Sequence, residues 1–262
     1  MRPKAKSWKC GVTGRRLGLA VVVLALAVTI MVRRRGAGRG KAYKGLPMEG
    51  FVASWYARLR GSQSQLQQYR KQALELTDGL PDGAQVLEVA PGPGYLAVEI
   101  ARLGRCRVTA MDVSRTFVEI TAQNASRAQV TVDVRQGDAG RMPFDDESFD
   151  LIVCQAAFKN FAHPLDALNE MHRVLRIGGQ AVIQDMNREA RPSDIDAEVQ
   201  AAGVSGMNAL WMKWALTGLR RRAYSPTQFE SLAAASAFAG CEITTEGIGL
   251  EVRLSRPADP RT

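Results

Sequence analysis

Cysteine and histidine are scarce in this sequence, and their spacing argues against two classes of protein. The 262-residue chain has four cysteines and two histidines. The cysteines stand far apart, without a C-x-x-C pair or a histidine at zinc-binding spacing, so neither a zinc-stabilised domain nor a disulfide-dependent secreted fold is expected. The sequence also lacks a P-loop, a G-x-S-x-G elbow, an internal repeat and a cluster of metal ligands. We therefore predict no metal site.

Acidic residues are absent from the first 48 positions, which carry twelve Lys and Arg residues. The whole chain has 35 basic and 26 acidic residues, which leaves 23 basic and 26 acidic residues after position 48. The formal charge of +9 therefore resides in an N-terminal arm, and the body is mildly acidic. We expect no nucleic-acid-binding surface on the body.

A nearly unbroken apolar run occupies residues 17–32 of the arm, with arginines on both sides. Sixteen residues span roughly 24 Å as a helix, which suffices for a bilayer when flanking arginines extend to the headgroups. We predict a single-pass membrane anchor over 17–32 and a basic linker over 36–44 that lies against anionic lipid. A cleaved signal peptide with an A-x-A site at 25–27 and an Arg-rich organelle presequence are the alternatives. Both flanks carry equal positive charge, so the arm leaves the orientation open.

The body, residues 49–262, alternates short apolar strands with amphipathic helices. Strands are predicted at 86–89, 107–111, 130–134, 148–154 and 180–186, with helices over 48–61, 63–77, 115–125 and 165–175. This alternation predicts an α/β fold with a mostly parallel sheet and helices on both faces. In such sheets ligands bind outside the carboxyl ends of the strands.

Two features at those ends predict a nucleotide-type ligand. Gly92 and Gly94 follow the first strand, permit positive φ and let a ligand approach the backbone, although an ordinary strand-to-helix turn has the same pattern. Asp112 ends the second strand, 20 residues beyond Gly92, where a carboxylate can accept both hydroxyls of a ribose. Asp112 could instead cap the following helix, but Ser114 can fill that role.

Five segments in this order resemble the class I S-adenosylmethionine-dependent methyltransferases, in particular the branch that methylates quinones, lipids and other small molecules. They read V-L-E-V-A-P-G-P-G, M-D-V-S, G-D-A-G-R-M-P-F, S-F-D-L-I-V-C and E-M-H-R-V-L-R-I-G-G. The resemblance covers roughly residues 63–254. It implies a Rossmann-like, doubly wound, seven-stranded sheet that closes with an antiparallel hairpin of residues 241–245 and 250–254.

The resemblance implies S-adenosylmethionine as the cofactor and assigns residues to it. Glu88, Gly92 and Gly94 would line its amino-acid end, Asp112 would hold the ribose, Val113 would pack on the adenine, Asp138 and Ala139 would meet the adenine amino edge, and Gln155 would lie beneath the methionine moiety. One position departs from the family pattern. Ala90 stands where the loop usually begins with glycine, and its Cβ narrows the loop.

The residues that would surround the methyl acceptor, here called the acceptor half of the site, are predicted only from their positions after the strands. His163 is the candidate general base and Lys159 and Asn160 are candidates to polarise an acceptor oxygen, because all three follow the fourth strand. A loop residue beside Pro164 is the alternative for His163. Trp55, Tyr56, Trp211 and Tyr224 could enclose an apolar acceptor, although aromatic residues at helical spacing are also typical of a core. Residues 49–80 and 187–224 would form covers over the site.

The sequence therefore predicts methyl transfer from S-adenosylmethionine to a small lipophilic acceptor such as a quinone or phospholipid. A soluble small molecule or a protein as acceptor is an alternative, with the arm serving only for targeting. A third possibility is a membrane protein that binds S-adenosylmethionine without transferring the methyl group. The body is expected to face the cytosol, where S-adenosylmethionine is made, and the oligomeric state is left open.

Overall fold

The computed structural model describes residues 43–44 and 48–257. The predicted anchor over 17–32 and most of the linker lie outside the described residues. Across the described part of the chain, no helix combines the length and apolar character that a membrane crossing requires.

Helices and strands alternate along the described chain as predicted. The helices are α1 (Gly50–Arg60), α2 (Gln63–Thr77), α3 (Tyr95–Arg102), α4 (Arg115–Arg127), α5 (Pro164–Val174), α6 (Pro192–Ala201), α7 (Gly206–Arg220) and α8 (Pro226–Ala234). The strands are β1 (Ala84–Val89), β2 (Cys106–Asp112), β3 (Asp133–Gln136), β4 (Phe149–Gln155), β5 (Leu175–Met186), β6 (Glu242–Glu246) and β7 (Gly249–Ser255). A short 3-10 turn, Phe158–Asn160, follows β4.

The strands form one seven-stranded sheet in the order β3-β2-β1-β4-β5-β7-β6. Strands β1 to β5 pair in parallel, and β7 runs antiparallel to both β5 and β6. The predicted Rossmann-like sheet with an antiparallel C-terminal hairpin is confirmed. The order reverses between β1 and β4, which places the β1 and β4 loops at the switch point where such sheets bind ligands.

Side chains alternate across the sheet into two apolar cores. Leu87 and Ile152 point to the face that buries Leu168 of α5 and Phe229 of α8. Val86 points to the opposite face, where Tyr69, Ala73, Leu96 and Ile100 of α2 and α3 pack. Burial on both faces explains why the central strands read as continuous apolar runs.

Two predicted boundaries are wrong. The third strand is Asp133–Gln136 and not 130–134, because Val130 is still bonded by its N–H to the Ala125 carbonyl and continues the end of α4. The fifth strand begins at Leu175, directly after α5 and five residues before Gln180. Leu175 pairs with Phe149 and Gln180 pairs with Leu151, so the register shifts between these two pairs. Both strand boundaries depend on pairing with a strand that is distant in sequence, β2 for the third strand and β4 for the fifth.

Candidate active site

The loop between β1 and α3 is held in a left-handed backbone at three positions. Ala90, Gly92 and Gly94 have φ of +55°, +58° and +71°. A Cβ at Gly94 would lie 2.3 Å from Cγ2 of Thr121, so this glycine is required both by its φ and by α4 packed beneath it. Ala90 adopts the same region with a side chain, which stores strain of about 1–2 kcal/mol in the loop. The family departure at Ala90 therefore preserves the backbone that a glycine would give.

Asp112 links this loop to the end of β2. Its Oδ2 accepts the N–H of Gly92 at 3.1 Å and its Oδ1 accepts the N–H of Ser114 at 2.9 Å. The cap of α4 is Ser114, whose Oγ accepts the N–H of Phe117, so Asp112 is not needed as a cap. Burial raises the pKa of Asp112 to about 6, against the backbone hydrogen bonds that lower it. At neutral pH the carboxylate is ionised, with lone pairs left to accept hydroxyl groups.

Glu88 is the buried acid of β1, with 2 % of its surface exposed. Its Oε2 accepts the N–H of Ala97 in the first turn of α3 over 2.8 Å. Burial raises its pKa to about 8, against the Ala97 hydrogen bond, which lowers it, and together with the charge of Asp112, which also raises it. A positively charged ligand group beside Glu88 would favour its ionised form and release a proton.

The remaining predicted cofactor residues border the same edge. Val113 exposes 42 % of its surface directly after Asp112, which suits a platform for a flat ring. Asp138 Oδ1 accepts the N–H of Gly140 at 2.9 Å, and Ala139 packs against the core. Gln155 donates its amide to Gln184 Oε1 at 2.5 Å and to Gln72 Oε1 at 3.3 Å. The structure thus brings the ends of β1, β2, β3 and β4 together around one cofactor half.

These residues fit S-adenosylmethionine by the chemistry of their donors and acceptors. The glycine at position 92 has no atom within 3.8 Å of an added Cβ, so a ligand can approach the backbone there. Asp112 would supply an ionised carboxylate for ribose hydroxyls, and Glu88 would supply a carboxylate for an ammonium group. When bound, the cofactor supplies an electrophilic methyl group.

Lys159 and Asn160 lie in the 3-10 turn after β4 and are both buried. Lys159 Nζ is 2.7 Å from Asp185 Oδ1, and its backbone N–H donates to Asp185 Oδ2 at 2.9 Å. The ammonium also donates to the Ala156 carbonyl at 2.5 Å. Its hydrogen-bonding capacity is thus largely used within the protein, and the predicted polarising role at an acceptor oxygen stays a prediction.

His163 lies at the start of α5 on the rim of the site. Its side chain is 60 % exposed, with Nδ1 4.0 Å from Asp166 Oδ2. A Cβ added at Gly140 would lie 4.0 Å from the His163 Cβ, which places the histidine beside the turn that Asp138 forms. The role of general base stays a prediction for this residue.

Tyr43 is a site residue that the sequence analysis missed. Its backbone forms an antiparallel bridge with Phe161, and the N–H of Lys44 donates to the Asn160 carbonyl at 2.7 Å. Burial raises the pKa of its phenol to about 12 against the charge of Arg222, which lowers it, and the charges of Asp112 and Asp185 act in the same direction as burial. The phenol therefore lies within electrostatic range of Asp112, Asp185 and Arg222. A single tyrosine in a basic, Gly-rich segment has no sequence pattern that predicts its place at this edge of the sheet.

The four predicted substrate aromatics are divided between three places. Tyr56 contacts Phe117 edge to face at 6.1 Å and lies beside Gly92, while Trp55 is half-buried on the same helix. Tyr224 packs on Phe158 at 5.8 Å, and its backbone bridges Asn187 at the end of β5. Trp211 lies on α7 and contacts Trp214 edge to face at 5.7 Å. Tyr56 therefore lies at the loop after β1, and Tyr224 lies at the end of β5.

This arrangement is similar to that of class I S-adenosylmethionine-dependent methyltransferase domains. Residues 87–183 match the family described as "Methyltransferase domain". The match covers the glycine loop, Asp112, Asp138 and the reversal of strand order between β1 and β4, which are the features from which the cofactor site is predicted.

Curated relatives carry names from quinone biosynthesis. The demethylmenaquinone methyltransferase of Deinococcus radiodurans is 36% identical over 100 residues, which cover 38% of this chain and 42% of the relative. The ubiquinone/menaquinone biosynthesis C-methyltransferase UbiE of Ruegeria sp. is 30% identical over 109 residues, which cover 40% of this chain and 44% of the relative. The chain thus spans less than half the length of these two relatives.

Solved structures share the fold at low identity. A Methanococcus maripaludis protein proposed to be an S-adenosylmethionine-dependent methyltransferase aligns with a TM-score of 0.66 and 20% identity, over 87% of this chain and 100% of that one. The [4+2]-cyclase SpnF aligns with a TM-score of 0.51 and 24% identity, over 89% of this chain and 75% of that one. Likeness at this level shows the fold and not the reaction.

Proposed function

We propose that the protein transfers the methyl group of S-adenosylmethionine to a lipophilic small molecule of the quinone type. The observation that carries the proposal is the hydrogen bond from the Gly92 N–H to Asp112, with the buried Glu88 on the neighbouring strand. These residues lie in a segment that matches a methyltransferase family. The quinone class is supported by the curated names and by the aromatic residues around the acceptor half.

The chain's own residues would contribute mainly position and exclusion of water. Asp112 and Glu88 would orient the donor, and Tyr43, Tyr56 and Tyr224 would enclose the acceptor, so that the two reacting atoms meet in line at about 3 Å. Such positioning in a dry site supplies a large part of the acceleration in reactions of this kind. An acceptor carbon or oxygen that must lose a proton would pass it to a nearby base, for which His163 is the candidate.

We also propose that the arm retains the enzyme at a membrane, with the body on the cytosolic side. This proposal rests on the apolar run at 17–32 and its arginine flanks, and on the cytosolic source of S-adenosylmethionine. An enzyme held at the membrane in this way could bind both the water-soluble methyl donor and an acceptor that dissolves in lipid.

The test uses the full chain in a mild detergent. Calorimetry should show saturable binding of S-adenosylmethionine, and label from the donor methyl group should appear in a demethylated quinone but not in soluble metabolites or proteins. The Asp112→Ala variant should lose donor binding. Labelling of soluble molecules alone would favour the alternative acceptor class, and binding without transfer to any extract would contradict methyl transfer.

A further inference from the structure

Helix α7 carries an apolar face that no other described element covers. Met207, Leu210 and Trp214 expose 66 %, 62 % and 58 % of their surfaces, and none of the residues of α7 is buried. Their spacings of three and four residues place them on one side of the helix, and Arg221 continues that side one heptad beyond Trp214. An apolar stripe of this kind on a folded protein marks a contact surface.

The opposite side of α7 faces the protein. Lys213 pairs with Asp196 of α6 at 2.5 Å, and Arg220 donates to the Ala190 carbonyl at 2.7 Å. Arg221 and Arg222 are both exposed at the end of the helix, and neither has a carboxylate within ion-pair distance among the described residues. The apolar face therefore ends at Arg221, while Arg222 lies within electrostatic range of the Tyr43 phenol.

Within the segment that contains α7 the charge is of one sign, and the carboxylate of Asp196 that meets it comes from α6, where it pairs with Lys213. Residues 203–229 contain four basic residues and no acidic residue. A second copy docked by the same face would bring like charges together, and so would the arm of this chain, which is also basic and acid-free. An anionic lipid surface is the occupant whose charge complements the arginines and whose interior accepts the apolar side chains.

Tryptophan residues on α7 also favour a lipid surface. Its ring is apolar on its faces and polar at the indole N–H, so it prefers the layer between headgroups and acyl chains. Trp214 exposes most of its ring on the apolar side, and Trp211 contacts it edge to face. The helix thus carries the three features of an interfacial helix, which are an apolar face, tryptophan and flanking arginines.

We propose that the outward face of α7, formed by Met207, Leu210, Trp214 and Arg221, docks on an anionic lipid bilayer with its apolar side chains in the headgroup layer. The end of α7 leads directly to the acceptor half, because the N–H of Arg188 donates to the Tyr224 carbonyl at 3.1 Å beside the end of β5. Docking would place the acceptor half at the lipid surface. Its use in admitting a lipid-soluble acceptor rests on the proposed function, while the docking itself does not.

The experiment measures amide hydrogen exchange of the full chain with vesicles of phosphatidylcholine and phosphatidylglycerol at 3:1, and with phosphatidylcholine alone. Exchange within 206–220 should slow only with the anionic vesicles. The Leu210→Ser/Trp214→Ser variant should lose this protection, and Arg221→Glu should reduce it about fivefold or more, the effect of removing and reversing one charge near the surface. The matched control is Leu74→Ser/Ile177→Ser, which removes apolar residues that are 55 % and 54 % exposed elsewhere.

Site-resolved exchange separates α7 from the arm, which is present in every variant. Protection of α7 without vesicles that grows with protein concentration would overturn the proposal in favour of a second copy. Protection without vesicles at every concentration would overturn it in favour of the chain's own arm. Equal exchange with and without anionic vesicles would also overturn it. Donor binding and methyl transfer to a detergent-dispersed quinone are measured on the same variants, so a failure of the proposed function is seen independently.

Discussion

The backbone N–H of Gly92 donates to Asp112 Oδ2 over 3.1 Å, which ties the loop after β1 to the end of β2. The same carboxylate has a pKa raised to about 6 by burial. One group therefore shapes the loop and also titrates within the range of an ordinary binding experiment.

Binding of S-adenosylmethionine should weaken as the pH falls from about 8, where Glu88 takes up its proton, and more steeply below about 6, where Asp112 is protonated. Hydroxyl groups donate to the ionised form of Asp112, so protonation competes with binding, by about tenfold per pH unit once the acid is mostly protonated. Calorimetry between pH 5 and 8 measures the slope. Asp112→Asn should bind weakly and lose the slope assigned to this residue. A wild-type affinity that stays constant down to pH 5 would contradict the assignment.

Glu88→Gln should stabilise the cofactor-free protein at high pH. The pKa of Glu88 is raised to about 8, so the folded state holds the proton more tightly than the unfolded chain. Stability from this group is complete below the unfolded pKa, near 4, and is lost as pH rises through 8. Denaturant unfolding should show a smaller loss of unfolding free energy between pH 5 and pH 9 for the variant, because glutamine does not ionise. Glutamine can still accept the Ala97 N–H. An unchanged pH dependence would argue that Glu88 stays ionised.

Gly94→Ala should destabilise the protein by about 2–4 kcal/mol and abolish donor binding, because the new Cβ meets Thr121 in addition to the left-handed backbone cost. Gly104→Ala is the matched control, since Gly104 has the same φ of +71° but open space around it. The control should lose about 1 kcal/mol and bind normally. Equal effects of the two variants in thermal unfolding would rule out the Thr121 contact as the cause.

Ala90→Gly should raise the unfolding free energy by roughly 0.5 kcal/mol. The left-handed φ of Ala90 costs about 1–2 kcal/mol, part of which is offset by the greater freedom of glycine in the unfolded chain. Ala101→Gly, within α3, should instead lose about 1 kcal/mol. Urea unfolding of both variants makes the comparison, and destabilisation at position 90 would show that the strain is absent.

Lys159→Met should cost about 3–5 kcal/mol, because it leaves Asp185 buried without a partner. The double variant Lys159→Met/Asp185→Leu should recover most of that loss. Lys213→Met serves as the control, since its pair with Asp196 is about half exposed, and should cost less than about 1 kcal/mol. A double variant that is stable and still transfers methyl groups would exclude Lys159 as an acceptor-polarising group.

The sheet and the cofactor half were predictable because their signals are local. The apolar runs of β1, β2 and β4 stop at polar or glycine residues, and parallel pairing then gathers those stops at one edge. Asp112 could be separated from a capping role by the presence of Ser114 two residues later, and the hydrogen bonds of the structure agree.

The acceptor half was not predictable because its contacts join distant segments. Lys159 meets Asp185 across 26 positions, and Tyr43 meets Phe161 across more than a hundred. Aromatic residues at helical spacing gave no indication that Tyr56 would lie beside the glycine loop while Trp211 would lie on α7. Side chains that carry acceptor specificity depend on tertiary packing more than on pattern.

The bridge between Tyr43 and Phe161 would also set the length of a tether between the proposed membrane anchor and the body. Ten residues separate Val32, the end of the apolar run, from Tyr43. Fully extended, this segment reaches at most about 40 Å. With residues 17–32 in a bilayer, the enzyme would search a thin layer next to the lipid and not the whole cytosol, and its effective concentration there would be correspondingly high. Lengthening this segment should lower turnover of a lipid-borne acceptor without changing the affinity for the methyl donor.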